Sequence, residues 1–185
     1  ITMRLSARSF RLMVLILLAV FISGCSQNAA ANQPRKALTV ETFLADITRN
    51  VAGDRFQVDS LIPAGLDPHT FAPTPRDVGI IADSSVLIVN GAGLETWLQP
   101  VLQNAGGERL VIEASAGLKT RQPKPDELAP IEDPQHGDPH FWLDPVSVIR
   151  YVENIRDGLS QADPEGAQSY AKNAQDYINR LNELN

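Results

Sequence analysis

The sequence predicts an α/β fold built on a parallel sheet, and three features carry that prediction. Val86-Leu87-Ile88-Val89 is a continuous apolar run, the pattern of a strand covered on both faces. Short strand-like runs alternate with amphipathic helices of about 10 to 12 residues, as in repeated βαβ units. Two helices also carry their own start signals. Thr74-Pro75-Arg76-Asp77 and Asp163-Pro164-Glu165 each offer an N-cap, a proline at the first helical position and an acid in the first turn.

Taken in order, residues 1–24 read as a secretory signal. Arg4, Arg8 and Arg11 form a basic region, and the apolar run from Leu12 to Ile22 is too short to span a bilayer alone. Ile22-Ser23-Gly24-Cys25 resembles the lipobox of bacterial lipoproteins, in which the chain is cut before the cysteine and the cysteine is lipidated. Cys25 is the only cysteine, so an internal disulfide is excluded. Residues 25–36 are small and polar and read as a lipid-anchored tether. Leu38-Thr39-Val40 begins the folded part as a strand. Phe43, Leu44, Ile47 and Val51 then fall at helical spacing, stopped by Gly53. Phe56 to Ile62 is the next strand, ended by Pro63. A loop leads to the helix at Pro75, whose predicted buried face is Val78, Ile81 and Ala82. After the strand at Val86 come a helix from Leu94 to Asn104, closed by Gly106-Gly107, and a strand at Leu110-Val111-Ile112. Residues 120–138 form a Pro-rich acidic loop. Val148, Ile149, Val152, Ile155 and Leu159 then mark one amphipathic helix, and Ala167, Tyr170, Ala174, Tyr177, Ile178, Leu181 and Leu184 another. That last pattern has no stop signal, so the helix is expected to continue past Asn185.

Without residues 1–24 the chain has 13 Lys and Arg against 22 Asp and Glu, a net charge near −9. An acidic surface argues against nucleic acid and against a polybasic membrane patch, and favours cations. The roughly 150 residues after the tether suffice for one domain with a proper core, and residues 37–162 carry its strands and most of its helices.

Two of the three histidines lie in the same tripeptide, Asp67-Pro68-His69 and Asp138-Pro139-His140. The proline fixes its own φ and pushes the residue before it toward extended geometry, so each imidazole stands on a stiffened turn. Neutral imidazoles are the commonest metal ligands. From spacing alone the two turns read equally well as halves of one site or as surface turns carrying incidental histidines. Asp67, Asp138 and Asp144 are candidates to orient the imidazoles as hydrogen-bond acceptors, or else turn and cap residues; Asp144 before Pro145 reads as an N-cap. His136, in an acidic loop, reads as a solvated loop residue. Trp97, Phe141 and Trp142 read as core.

Gly65 through Pro75 (GLDPHTFAPTP), then Ala82-Asp83, Asn90-Gly91, Glu95 and Trp97, then Asp138 through Pro145 (DPHFWLDP) resemble the zinc/manganese solute-binding lipoproteins of ABC importers. The resemblance covers essentially the whole chain after the signal. It implies two α/β lobes joined by one long helix, with the metal in the cleft between them. His69 and His140 map onto the ligands of the N-terminal lobe, the remaining ligands belonging to a C-terminal lobe. Residues 163–185 map onto the start of the connecting helix. Some members carry a His-rich loop just before the second histidine ligand, so the resemblance implies an accessory metal contact at His136. The implied cargo is Zn2+ or Mn2+, and the implied partners are an ABC permease of the same system and, through Cys25, the membrane. A monomer held outside the cytoplasm is expected. Imidazole-rich sites favour zinc and carboxylate-rich ones manganese, so the ligands beyond His69 and His140 decide the metal.

Other chemistries fit less well. Gly91-Ala92-Gly93-Leu94-Glu95-Thr96 mimics a dinucleotide fingerprint, but Thr96 stands where the third glycine belongs. No His-Glu-x-x-His, no Gly-x-Ser-x-Gly and no spare cysteine is present. No general base adjoins either histidine in sequence, so the expectation is a binding protein rather than an enzyme. The alternative is a surface adhesion lipoprotein on the same scaffold, with a structural metal.

Overall fold

A computed structural model describes residues 35–121 and 137–184. Cys25, His136, the predicted signal and most of the tether lie outside the described residues.

Four parallel strands form the sheet: β1 (Arg35–Thr39), β2 (Phe56–Ser60), β3 (Val86–Val89) and β4 (Leu110–Glu113), in the order β2-β1-β3-β4. The chain leaves β1 for β2 on one side and later passes to β3 and β4 on the other. The switch point therefore lies between β1 and β3, and at such a point the loops after the strands open a crevice where ligands collect in α/β sheets. Arg35 and Lys36, assigned to the tether by composition, pair with Phe56 and Gln57 and so belong to β1.

Among the described residues five α-helices cover the sheet: α1 (Thr42–Ala52), α2 (Pro75–Ala82), α3 (Leu98–Ala105), α4 (Pro145–Ala162) and α5 (Ala167–Glu183). Strand alternation divides the core in two. Ala37, Val86, Ile88 and Ile112 face α1, α4 and α5, whereas Leu38, Leu87 and Val89 face α2 and α3. All four residues of β3 are buried, as the apolar run predicted. The larger core lies under α4 and α5, where Tyr151, Ile155, Leu159 and Tyr170 are fully buried, each worth about 1.5–3 kcal/mol. α5, whose residues the resemblance maps onto the connecting helix, buries Tyr170, Ala174 and Leu181 in that same core. Among the described residues no helix is long and apolar enough to cross a membrane.

The helix starts show why the chain turns where it does. Thr74 and Asp77 form a reciprocal capping box at α2, with Pro75 at the first position. Asp144 caps α4, its carboxylate accepting from the Val146 and Ser147 N–H groups at 3.2 and 3.0 Å. Two readings are corrected. Within α2 Ile81 is buried but Ala82 is exposed. Asp163 makes no cap: it is fully buried, accepts from Arg55 Nε at 2.7 Å and from the Tyr170 hydroxyl at 2.5 Å, and pairs with Arg35. A 3-10 turn at Pro164–Gly166 precedes α5 instead.

A third correction concerns the helix predicted from Leu94. α3 begins only at Leu98, and residues 90–97 form a tight turn. Gly91, Ala92 and Gly93 all have positive φ, at 79°, 52° and 83°, a left-handed run that no helix accommodates. The Glu95 carboxylate reaches back over it and accepts the Asn90 and Gly91 N–H groups at 2.6 and 3.0 Å.

Candidate metal centre

His69 lies in the loop after β2, and His140 lies in the turn before α4. Both tripeptides close the same side-chain-to-backbone bond. Asp67 Oδ1 accepts the His69 N–H at 3.0 Å, and Asp138 Oδ1 accepts the His140 N–H at 3.1 Å. Each is an Asx turn, in which the aspartate side chain mimics a backbone acceptor two residues ahead. This explains the repeated Asp-Pro-His: the aspartate closes the turn, the proline stiffens it, and the histidine projects from it.

The two turns bring the imidazoles together. The Nε2 atoms stand 3.2 Å apart, with ring centroids at 5.3 Å and planes tilted by 45°. His69 is half-buried and His140 exposed, so the pair opens at the surface. Both loops sit at the C-terminal edge of the sheet. The His69 loop continues from β2, and the His140 turn is tied to Asn90, the residue that follows β3.

Each aspartate makes further contacts. Asp138 Oδ1 also lies 2.7 Å from His140 Nδ1. The carboxylate accepts, so the neutral ring carries its proton on Nδ1 and presents the Nε2 lone pair toward His69. Burial pushes Asp138 up, but its bonds from the His140 backbone and ring and from Arg121 outweigh that, holding it below the usual carboxylate value. Asp67 accepts in addition from the Thr70 hydroxyl at 3.3 Å, and Asp144 is engaged in capping α4. Behind His140, Trp142 stands 5.0 Å from the imidazole centroid and stacks on Phe43 at 4.2 Å, an aromatic backing for the ring.

Four contributors were not legible as such in the sequence. Trp97 Nε1–H donates to the Pro68 carbonyl at 3.0 Å, and Asn90 Nδ2–H donates to the Pro139 carbonyl at 3.2 Å. Glu41 and Glu95 are both buried near these loops, Glu41 in a cleft with Phe43, Leu66, Pro68 and Trp142. Burial, reinforced by the charge of Glu95, pushes Glu41 far above the usual carboxylate range, so it holds its proton at neutral pH. Glu95 is raised by burial too, and its backbone N–H bonds offset part of that. Only Glu95, Trp97 and the Asn-Gly pair had any signal, as single letters in a familial run. Among the described residues no third His, Cys, Asp or Glu joins the two imidazoles in a ligand cluster.

Residues 38–185 match the model of the ZnuA family, the periplasmic component A of the zinc-uptake complex. The chain belongs to this family. It is 38% identical over 175 residues to the manganese-binding lipoprotein MntA of Halalkalibacterium halodurans, across 92% of this chain and 55% of that protein. It is 31% identical over 182 residues to the manganese ABC transporter substrate-binding lipoprotein PsaA of Streptococcus mitis, across 94% and 57%. The structure of Zn(II)-bound AdcA from Streptococcus pneumoniae is similar with a TM-score of 0.70 at 31% identity, across 82% of this chain and 31% of that one. The chain thus spans a little over half the length of MntA and PsaA. These ZnuA-family relatives are metal-binding lipoproteins, and PsaA is named as a transporter's substrate-binding component.

Proposed function

We propose that the protein captures a divalent transition metal, zinc or manganese, outside the cytoplasm and delivers it to an ABC permease of the same system. His69 and His140 are the ligands supplied by the described residues. One observation carries this reading: the Nε2 atoms are 3.2 Å apart, and two nitrogens at about 2.0–2.1 Å from one tetrahedral zinc stand about 3.3 Å from each other. The pair is spaced to share one ion. The resemblance assigns the other ligands to a second lobe. A lipidated Cys25 anchors the protein to the membrane, His136 is an accessory contact at most, and the protein acts as a monomeric binding protein, not as an enzyme. Asp138 accepts from the His140 ring and so orients it for a metal. The receptor role of the named relatives favours transport over the adhesion alternative.

The test is competition of Zn2+ and Mn2+ against a chromophoric chelator with the parent and with His69→Ala, His140→Ala and His136→Ala. Each of the first two is expected to weaken binding at least about tenfold, and His136→Ala to leave it nearly unchanged. Binding is also expected to weaken as pH falls below about 6, with protons released on metal addition, since a ligating imidazole must be neutral. Parent-like affinity in both His69→Ala and His140→Ala removes the assignment.

A further inference from the structure

The two imidazoles come from turns 71 residues apart, yet their spacing matches a single ion. Something must hold one turn to the other. Each histidine follows a proline, and the planar Pro–His peptide fixes where the histidine Cα lies. That plane is gripped at both ends in each turn. At Pro68–His69 the N–H is bound by Asp67 and the carbonyl by Trp97; at Pro139–His140 the N–H is bound by Asp138 and the carbonyl by Asn90. The aspartates are local to their turns. The carbonyl donors are not: Asn90 and Trp97 both belong to the 90–97 turn after β3.

That turn is rigid enough to serve as a reference. Glu95 closes it on the Asn90 and Gly91 N–H groups, and Leu94 and Leu98 N–H donate back to the Gly91 and Glu95 carbonyls at 3.1 Å. Asn90 is fully buried, and its Oδ1 accepts from the Tyr151 hydroxyl of α4. Trp97 is braced by Phe71 in an edge-on contact at 5.1 Å.

We propose that the 90–97 turn is the common mount for both histidine turns, with Asn90 and Trp97 as positioning residues that set the His69–His140 spacing and thereby the geometry of the bound metal. The inference rests on the metal-capture reading and extends it to residues that touch no ion.

The test uses the full chain with Asn90→Ala and Trp97→Phe, the latter keeping the aromatic contact with Phe71 while removing the donor. Zn2+ affinity, the visible spectrum of the Co2+-loaded protein and the melting temperature are read together. Each variant is expected to bind Zn2+ about tenfold more weakly and to shift the cobalt absorption, at a temperature where circular dichroism shows it folded. Parent-like affinity and spectrum in folded variants overturn the inference, and so does weaker binding with an unaltered cobalt spectrum, which marks a general loss of stability. If Asn90→Ala, which also strands the Tyr151 hydroxyl, does not fold, Trp97→Phe decides alone. His69→Ala and His140→Ala run alongside. Parent-like binding in these two overturns the metal reading itself, whereas their weakening beside parent-like Trp97→Phe and Asn90→Ala overturns only the mount.

Discussion

Asp138 Oδ1 accepts both the backbone N–H and the ring N–H of His140, so one oxygen fixes the turn and the tautomer together. Asp138→Asn separates these roles. The amide oxygen can keep the turn, but the charge that holds the proton on Nδ1 is gone. The expected outcome is metal affinity about 10- to 100-fold lower with an unchanged circular dichroism spectrum, measured by chelator competition. Parent-like affinity would show that the ring is oriented by other contacts. Asp67 closes its own turn in the same way, as the identity of the two tripeptides leads one to expect. The shared letters make the common turn legible; how closely the two turns approach depends on packing that the sequence does not record. Trp142, against His140 and Phe43, belongs to that packing.

Between β3 and α3, local chemistry overrides periodicity. Leu94 and Leu98 lie at helical spacing and are both buried, so the apolar pattern reads as a helix from Leu94. The left-handed run of Gly91, Ala92 and Gly93 and the backward reach of Glu95 delay it by four residues. Gly91 suits that run: its φ of 79° disfavours a side chain, and a Cβ would have to displace the exposed Glu113 side chain. Gly91→Ala is expected to cost about 1–2 kcal/mol in urea unfolding. Ala92 already bears the left-handed penalty, so Ala92→Gly is expected to gain roughly 0.5–1 kcal/mol. Opposite signs at adjacent positions are the check; two losses would place the strain elsewhere. The starts of α2 and α4 were legible because their signals are contiguous. Thr74, Pro75 and Asp77 act on one another within a single turn, as do Asp144, Pro145 and Ser147.

Across the whole molecule, the fold class follows from β3 being apolar on both faces, but strand order does not, since no local pattern records that β1 lies between β2 and β3. The same distance limit hid Asp163. It binds Arg35 in β1, Arg55 just before β2 and Tyr170 in α5, joining the N-terminal edge of the sheet to that helix. The Arg55 bond is the main reason its carboxyl is held down at about 2, with Tyr170 and Arg35 adding to it against burial. A depressed acid stabilises the fold above its unfolded value of about 3.9 and loses that contribution as pH falls toward 2. Asp163→Asn is expected to cost about 2 kcal/mol at pH 7, less than a fully buried pair because both arginines reach solvent, and to flatten the melting curve between pH 5 and 2. A variant with the parent's acid profile would reject this role. The surface opening of the imidazole pair bears on something else, the speed of exchange. An ion shared by the pair would turn its outward side to the donors that the resemblance assigns to a second lobe. Withdrawal of those donors would then bare the ion to water without disturbing the sheet beneath.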